Sequence, residues 1–279
     1  MIIDGYVNLP PPAAEGSKPS PDMEAVSRFF GVDAGRNSER TLDDLLTALD
    51  EAGIDRAVVS AELPVRRSGM EVPTIPLELA LEAVAATDRL KVMAVVPGVR
   101  ELTATSRLLR DAAADDRIVA AVICGAMLET SLTDRRLYAL YSTLAEAGLP
   151  LVANVGIFGP ALASKYQHPL LLEEVCADFP ELAVIACHMG HPWERLVVRL
   201  MMKFPNLHLM TSAYLPTYID EAVVRFMGSS RGHDRVIFAS DYPMLDPARC
   251  LGEARKLPLS DEVLAGYLGG NLSRVLGWT

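Results

Sequence analysis

Short apolar runs alternate along most of the chain with longer stretches whose apolar residues recur every three or four positions. The runs lie at 1–7, 57–60, 91–96, 119–124, 151–155, 183–187, 207–211 and 236–240, and their aliphatic, often β-branched content predicts buried strands. The stretches near 77–87, 101–115, 134–147, 168–179, 194–204, 217–228 and 247–256 predict amphipathic helices. Another helix is expected over 41–52, with Leu42, Leu45, Leu46 and Leu49 on one face and Gly53 as its stop, and a last one near 261–276. Gly or Pro closes several of the helical stretches, as in E-A-G-L-P at 146–150.

Regular strand–helix alternation implies parallel strands joined by right-handed crossovers. Eight such units close naturally into a (β/α)8 TIM barrel. No break in composition divides the chain, so residues 1–279 are read as one domain with an extra helix at the C-terminus. Residues 9–38 interrupt the pattern with Pro10, Pro11, Pro12, Pro19 and Pro21. A loop this long after the first strand is read as a lid, with a short helical turn at 23–30.

Half of the residues are hydrophobic, enough for a large core, and the formal charge of −10 argues against a nucleic-acid partner. No apolar run approaches the roughly 20 residues that span a bilayer, and no basic segment followed by an apolar one opens the chain. Cys124, Cys176, Cys187 and Cys250 lack zinc or redox spacing and are expected as reduced thiols in a cytoplasmic protein. Met201 and Met202 are assigned to a helix core rather than an interface, and a homodimer is left open.

Chemistry is sought at the strand ends. In a barrel, the residues that follow each strand line one mouth. The most structured stretch is L-A-V-I-A-C-H-M-G-H-P-W at 182–193, a strand ending in His188; R-V-I-F-A-S-D-Y-P at 235–243 repeats the plan and ends in Asp241. Strand 1 contributes Tyr6 and Asn8 to that mouth and strand 5 Asn154, while Glu62 follows strand 2, Gly125 and Met127 strand 4, and Ser212 and Tyr214 strand 7. His188 and Asp241 are the candidate catalytic pair, with Tyr6, Asn8, Glu62, Asn154 and Tyr214 as candidate substrate contacts. Asp241 also suits a helix N-cap before Tyr-Pro. His191 is read as structural, His168, His208 and His233 as surface or loop positions, and Arg66, Arg67 and Lys165 as solvated charges. No P-loop, G-x-G-x-x-G or G-x-S-x-G pattern occurs.

The opening M-I-I-D, the G-L-P-L-V of strand 5, F-P-E-L-A-V-I-A-C-H-M-G-H-P-W, F-P-N-L-H-L-M-T-S, V-I-F-A-S-D-Y-P and the closing L-G-G-N-L-S-R-V-L-G together carry a likeness over nearly the whole length. On them the chain resembles the amidohydrolase-related group of the amidohydrolase superfamily, with its aminocarboxymuconate-semialdehyde decarboxylase-like and pyrone-dicarboxylate lactonase-like members. The resemblance implies a metal held by His-x-His after strand 1, a strand 5 histidine, a strand 6 histidine and a strand 8 aspartate. Here those positions hold Tyr6, Asn8, Asn154, His188 and Asp241. Phenol and amide groups are poor zinc ligands, so no catalytic zinc and no cofactor is expected.

The lactonase-like members imply a precedent for hydrolysis without a divalent metal. On that precedent Asp241 acts as general base on water, and His188 orients the water or polarises a carbonyl of a small activated ester or lactone. A lyase or isomerase using the same pair on an aromatic or polyketide-like molecule is the alternative. A non-catalytic binding protein that lost its chemistry with the zinc is another.

Overall fold

The computed structural model describes residues 1–9, 24, 28, 31, 41–68, 74–157 and 162–278. The expected lid and the turn at 23–30 fall almost wholly outside the described residues. Eight strands form one parallel sheet in sequence order: β1 (Ile3–Asn8), β2 (Arg56–Glu62), β3 (Leu90–Val95), β4 (Ile118–Ile123), β5 (Leu151–Asn154), β6 (Val184–Cys187), β7 (Leu207–Met210) and β8 (Val236–Ile237). The sheet curls into a TIM barrel. Hydrogen bonds from Gly5 N to Phe238 O (3.1 Å), Asp241 N to Tyr6 O (2.9 Å) and Asn8 N to Tyr242 O (2.7 Å) join β1 to the chain that follows β8.

The helices alternate with the strands as α1 (Leu42–Ala52), α2 (Leu77–Val84), α3 (Leu102–Ala113), α4 (Arg135–Ala147), α5 (Leu172–Asp178), α6 (Glu194–Lys203), α7 (Glu221–Met227) and α8 (Pro247–Ala254); α9 (Asp261–Ala265) and α10 (Asn271–Leu276) close the chain. Their starts follow from local chemistry. Thr41 caps α1 in a reciprocal box with Asp44, and Asp134, Asp220, Asp246 and Ser260 each accept an N–H at the head of α4, α7, α8 and α9. Gly53 and Gly148 end α1 and α4 in the left-handed conformation that spares a side chain its steric penalty. No helix among the described residues is long and apolar enough to cross a membrane.

Two apolar clusters divide the interior. The larger lies between the strands and the helices. The smaller fills the barrel with inward side chains such as Ile3, Tyr6, Val58, Met93, Val152, Ile185, Cys187 and Ile237. Leu272 and Trp278 join it from the C-terminal segment, and the guanidinium of Arg56 lies 5.0 Å from the Trp278 ring at the start of β2. That end of the barrel is thereby plugged, which leaves the strands' carboxyl ends as the open mouth.

Three expectations need correction. The strand foreseen at 236–240 pairs only over Val236–Ile237, because the following backbone turns its hydrogen bonds toward β1. The terminal helix is interrupted at 266–270, where Gly269 runs so close to β1 that a Cβ would stand 2.6 Å from Met1 O. His208 is no loop residue: it lies within β7, half-buried, and its Nδ1 is buried without a hydrogen-bond partner.

Candidate functional site

β1 is irregular between Asp4 and Val7, so Ile3, Tyr6 and Asn8 turn into the barrel, whereas Asp4 turns to the segment that follows β8. Asp4 is fully buried. Its Oδ1 accepts from Ser240 N (2.9 Å) and Tyr6 N (3.3 Å), and its Oδ2 accepts from Ser240 Oγ (2.5 Å). Ser240 Oγ in turn accepts from Tyr242 N at 3.0 Å. One carboxyl thus ties the segment after β8 to β1 and fixes where Asp241 emerges. Burial raises the Asp4 carboxyl to about 6 against the pull of these donors.

Asp241 is 7% exposed and adopts a left-handed backbone, φ 64°. It does not cap a helix; Asp246 does that for α8. Instead its Oδ1 accepts from Asn8 Nδ2 at 2.8 Å, and Asn8 Oδ1 accepts from Ser60 Oγ at 2.6 Å. A hydroxyl can donate or accept, so it is the carboxyl, acceptor-only once ionised, that turns the amide's N–H2 toward itself. Burial pushes Asp241 up to about 8; the Asn8 hydrogen bond lowers it and the nearby Asp4 raises it further.

His188 also has a left-handed backbone, φ 61°, and the same is true of Met189 (φ 61°) and Ala213 (φ 68°) just beyond. A non-glycine residue in this region costs about 1–2 kcal/mol, and such strain gathers where a side chain must be aimed. Ser212 holds His188 twice, accepting from its backbone N at 3.0 Å and pairing with Nδ1 at 2.9 Å. Burial drives the imidazole down to about 4, so the ring is neutral at pH 7.

Tyr6 connects the two candidates. Its ring lies 5.2 Å from that of His188, and its phenol is pushed well above 10 by burial, with Cys187, Asp241 and Cys124 adding to the rise. Asn154 Oδ1 accepts from Cys187 Sγ at 3.4 Å, leaving its N–H2 uncommitted to that bond. Tyr6, Asn8, Asn154, His188 and Asp241 thus share one inner surface. Glu62 and Tyr214 have partners of their own. Glu62 pairs with Arg67, which is therefore no solvated charge, and the Tyr214 ring lies 5.3 Å from that of His191. Lys165 is exposed beside the Tyr166 ring, and Arg66 engages Glu101 through its backbone N–H.

The sequence reading missed Asp4, Ser60 and Ser240 as parts of this arrangement. Nothing local marks any of the three; the irregularity of β1 between Asp4 and Val7 breaks the alternation on which Asp4 would have been read. Among the described residues, no group of three or more His, Cys, Asp and Glu side chains gathers as a ligand set. The four cysteines are all buried and unpaired.

Away from the mouth, His208 carries a test of its surroundings. Burial lowers it to about 4, with the neighbouring Arg235 in support. The unfolded chain binds a proton at about 6.5 that the folded protein refuses until about 4. The stability linked to His208 is therefore complete above pH 6.5 and lost as pH falls toward 4. His208→Gln removes this dependence, so the urea midpoint of wild type relative to the variant should fall between pH 7 and pH 5; an unchanged difference refutes it.

A family model described as amidohydrolase matches residues 32–278. No curated protein matches the sequence at a significant level. Among solved structures, an uncharacterized TIM-barrel protein of Bordetella bronchiseptica is similar over 99% of this chain and 98% of its own, at 23% identity and a TM-score of 0.78. A dihydroxybenzoic acid decarboxylase of a Polaromonas species, with bound manganese and 2-nitroresorcinol, matches over 99% of this chain and 96% of its own at 14% identity and a TM-score of 0.73. A probable 2-pyrone-4,6-dicarboxylic acid hydrolase of Acinetobacter baumannii, with citric acid bound, matches over 99% of both chains at 15% identity and a TM-score of 0.65. At these identities the structural likeness is one of fold.

Proposed function

The chain belongs to the amidohydrolase family, and on that premise we propose that it is a metal-independent hydrolase of a small activated ester or lactone, with Asp241 as general base and His188 polarising the carbonyl. The observation that carries the reading is the Ser60–Asn8–Asp241 string: a buried carboxyl at the mouth, held by an amide that is itself hydrogen-bonded to Ser60. A carboxylate so desolvated is a much stronger base than one in water. It takes a proton from water as the water oxygen attacks the carbonyl, and returns that proton to the departing oxygen. With Ser212 Oγ donating to Nδ1, the neutral His188 ring carries its proton on Nε2 and can donate to the carbonyl oxygen. The Tyr6 phenol and the Asn154 N–H2 are the further donors suited to the developing oxyanion.

Several of the fold neighbours hold manganese, so the fit of a divalent ion matters here. The donor set argues against one. Asn8 turns its N–H2 toward Asp241 and gives its oxygen to Ser60, the Asn154 oxygen takes the Cys187 thiol, and Tyr6 keeps its proton. Hard cations need several oxygen ligands with charge, and zinc needs thiolate, imidazole or carboxylate. Only His188 and Asp241 are ligands of that kind here, too few to hold either ion. The small-molecule substrate, the absence of a nucleic-acid partner and a cytoplasmic setting belong to the same proposal.

A decarboxylating lyase is the second reading. It is favoured by the high pKa of Asp241, which leaves the carboxyl protonated at pH 7 and able to deliver a proton to carbon. The pH dependence of turnover separates them. With dihydrocoumarin as probe and Asp241→Asn as blank, log kcat/KM should rise with unit slope to about pH 8 and level off. A rate that falls above pH 8, or carbon dioxide released from a hydroxybenzoate with no lactone opening, replaces the hydrolase with the lyase.

A further inference from the structure

The loop after β6 carries a second histidine that the mechanism above does not use. His191 Nδ1 lies 2.6 Å from Glu194 Oε1, the first residue of α6. The two side chains differ sharply in exposure: that of Glu194 is 7% exposed and that of His191 is 51%. A carboxylate only accepts, so Nδ1 is the donor, and in the neutral ring Nε2 keeps its lone pair. This is the less populated tautomer of a histidine in water, and here a buried partner imposes it.

The backbone of His191 is held as firmly as its ring. Its carbonyl accepts from Ile157 N at 2.8 Å, beyond the end of β5. Gly156, with φ 103°, lies so close that a Cβ would meet His191 O at 2.8 Å. On the other side the Tyr214 ring, beyond the end of β7, lies 5.3 Å from the imidazole, and Glu194 adds to the burial that raises the Tyr214 phenol. The ring is thus clamped on the mouth's rim between the β5 and β7 ends. An exposed ion pair contributes little to stability, and burying a carboxylate costs free energy. The helix dipole at the head of α6 favours the Glu194 carboxylate, but it gives no reason to bind an exposed imidazole to it. The arrangement does match what orients an imidazole for proton transfer: a buried carboxylate on one nitrogen and an open position at the other.

We propose that His191, oriented by Glu194, is a further proton-accepting residue of this mouth and engages a hydroxyl on the substrate, phenolic or enolic. The hydroxyl proton passes to Nε2, the imidazolium is balanced by the Glu194 carboxylate, and the proton returns to the oxygen before release. The inference rests on this mouth being the reaction site, but not on ester hydrolysis.

Its test therefore reads proton transfer without turnover, on the full chain. The probe is 4-nitrocatechol, whose colour reports the ionisation of its hydroxyl. Wild type should bind it with roughly tenfold more of the anion than in free solution at the same pH. His191→Gln should lose the shift, and Glu194→Gln should weaken it. In nitrogen-15 spectra of histidine-labelled protein, His191 should carry its proton on Nδ1 in wild type and on Nε2 in Glu194→Gln. No colour shift with wild type, an equal shift with His191→Gln, or an Nε2-protonated His191 in wild type each overturns the inference. A colour shift without lactone opening leaves this inference standing and removes only the hydrolase.

Discussion

Asp241→Asn is expected to lower turnover of an activated lactone by about 10²–10⁴-fold while making the protein more stable. Both effects have one origin. The fold holds Asp241 at about 8, far above the 3.8 of an unperturbed aspartate, because burial penalises the charged form. A group whose folded pKa is raised binds a proton more readily folded than unfolded. As pH rises between about 4 and 8, ionisation therefore costs the native state progressively more, and above 8 the cost is constant. At about 1.4 kcal/mol per pH unit the total is several kcal/mol at most. The asparagine variant carries no such cost and still accepts from Asn8. Its stability advantage in urea unfolding should be small at pH 4, grow to pH 8 and then level. Turnover unchanged in the variant refutes the role of Asp241; an advantage that does not grow with pH refutes its burial as a charged group.

Asp4 should be the most destabilising single site among the polar residues described here, and it touches no substrate. Asp4→Ala removes the acceptor for Ser240 N, Tyr6 N and Ser240 Oγ in a fully buried place. Each orphaned buried donor costs about 1–3 kcal/mol, so the loss should reach about 4 kcal/mol. Turnover should fall with it, because the segment that carries Asp241 is no longer tied to β1. Asp4→Asn is the informative control. Its amide oxygen can accept both backbone N–H groups, and the Ser240 hydroxyl can rotate to accept from the new N–H2. This variant should lose less than half as much stability, measured by urea unfolding. Equal losses in the two variants would mean that charge, not hydrogen-bond geometry, holds the segment.

Much of the mouth was legible in advance because a barrel places strand ends together whatever else the chain does. His188, Asp241, Tyr6, Asn8 and Asn154 all lie at or just beyond the carboxyl ends of strands. The same rule could not say which of them touch. Glu62 ends β2 and pairs with Arg67, and the Tyr214 ring packs beside His191. Those outcomes depend on loop paths, and loop paths depend on close backbone approaches such as that of Gly156 to His191. His208 shows the opposite failure. Its polar character suggested a surface position, but it sits within β7, and packing against the barrel overrode the preference of the single residue.

By itself the sequence determined the order of strands and helices, the parallel sheet and hence the barrel, since alternation of apolar runs and amphipathic segments leaves few other ways to bury both. It also determined which chemical groups stand at the mouth, because strand periodicity is local. The tertiary structure alone decided how those groups behave. Asp241 lies far from Asn8 in the chain but 2.8 Å from it in space, and its proton affinity comes from burial by residues of other strands. The direction of the Asn8 amide comes from the Asp241 carboxyl, and the tautomer of His191 from a carboxylate that α6 buries. Proton affinity and hydrogen-bond direction are set by solvent exclusion and by neighbours across the barrel, and neither is written in any one stretch of chain.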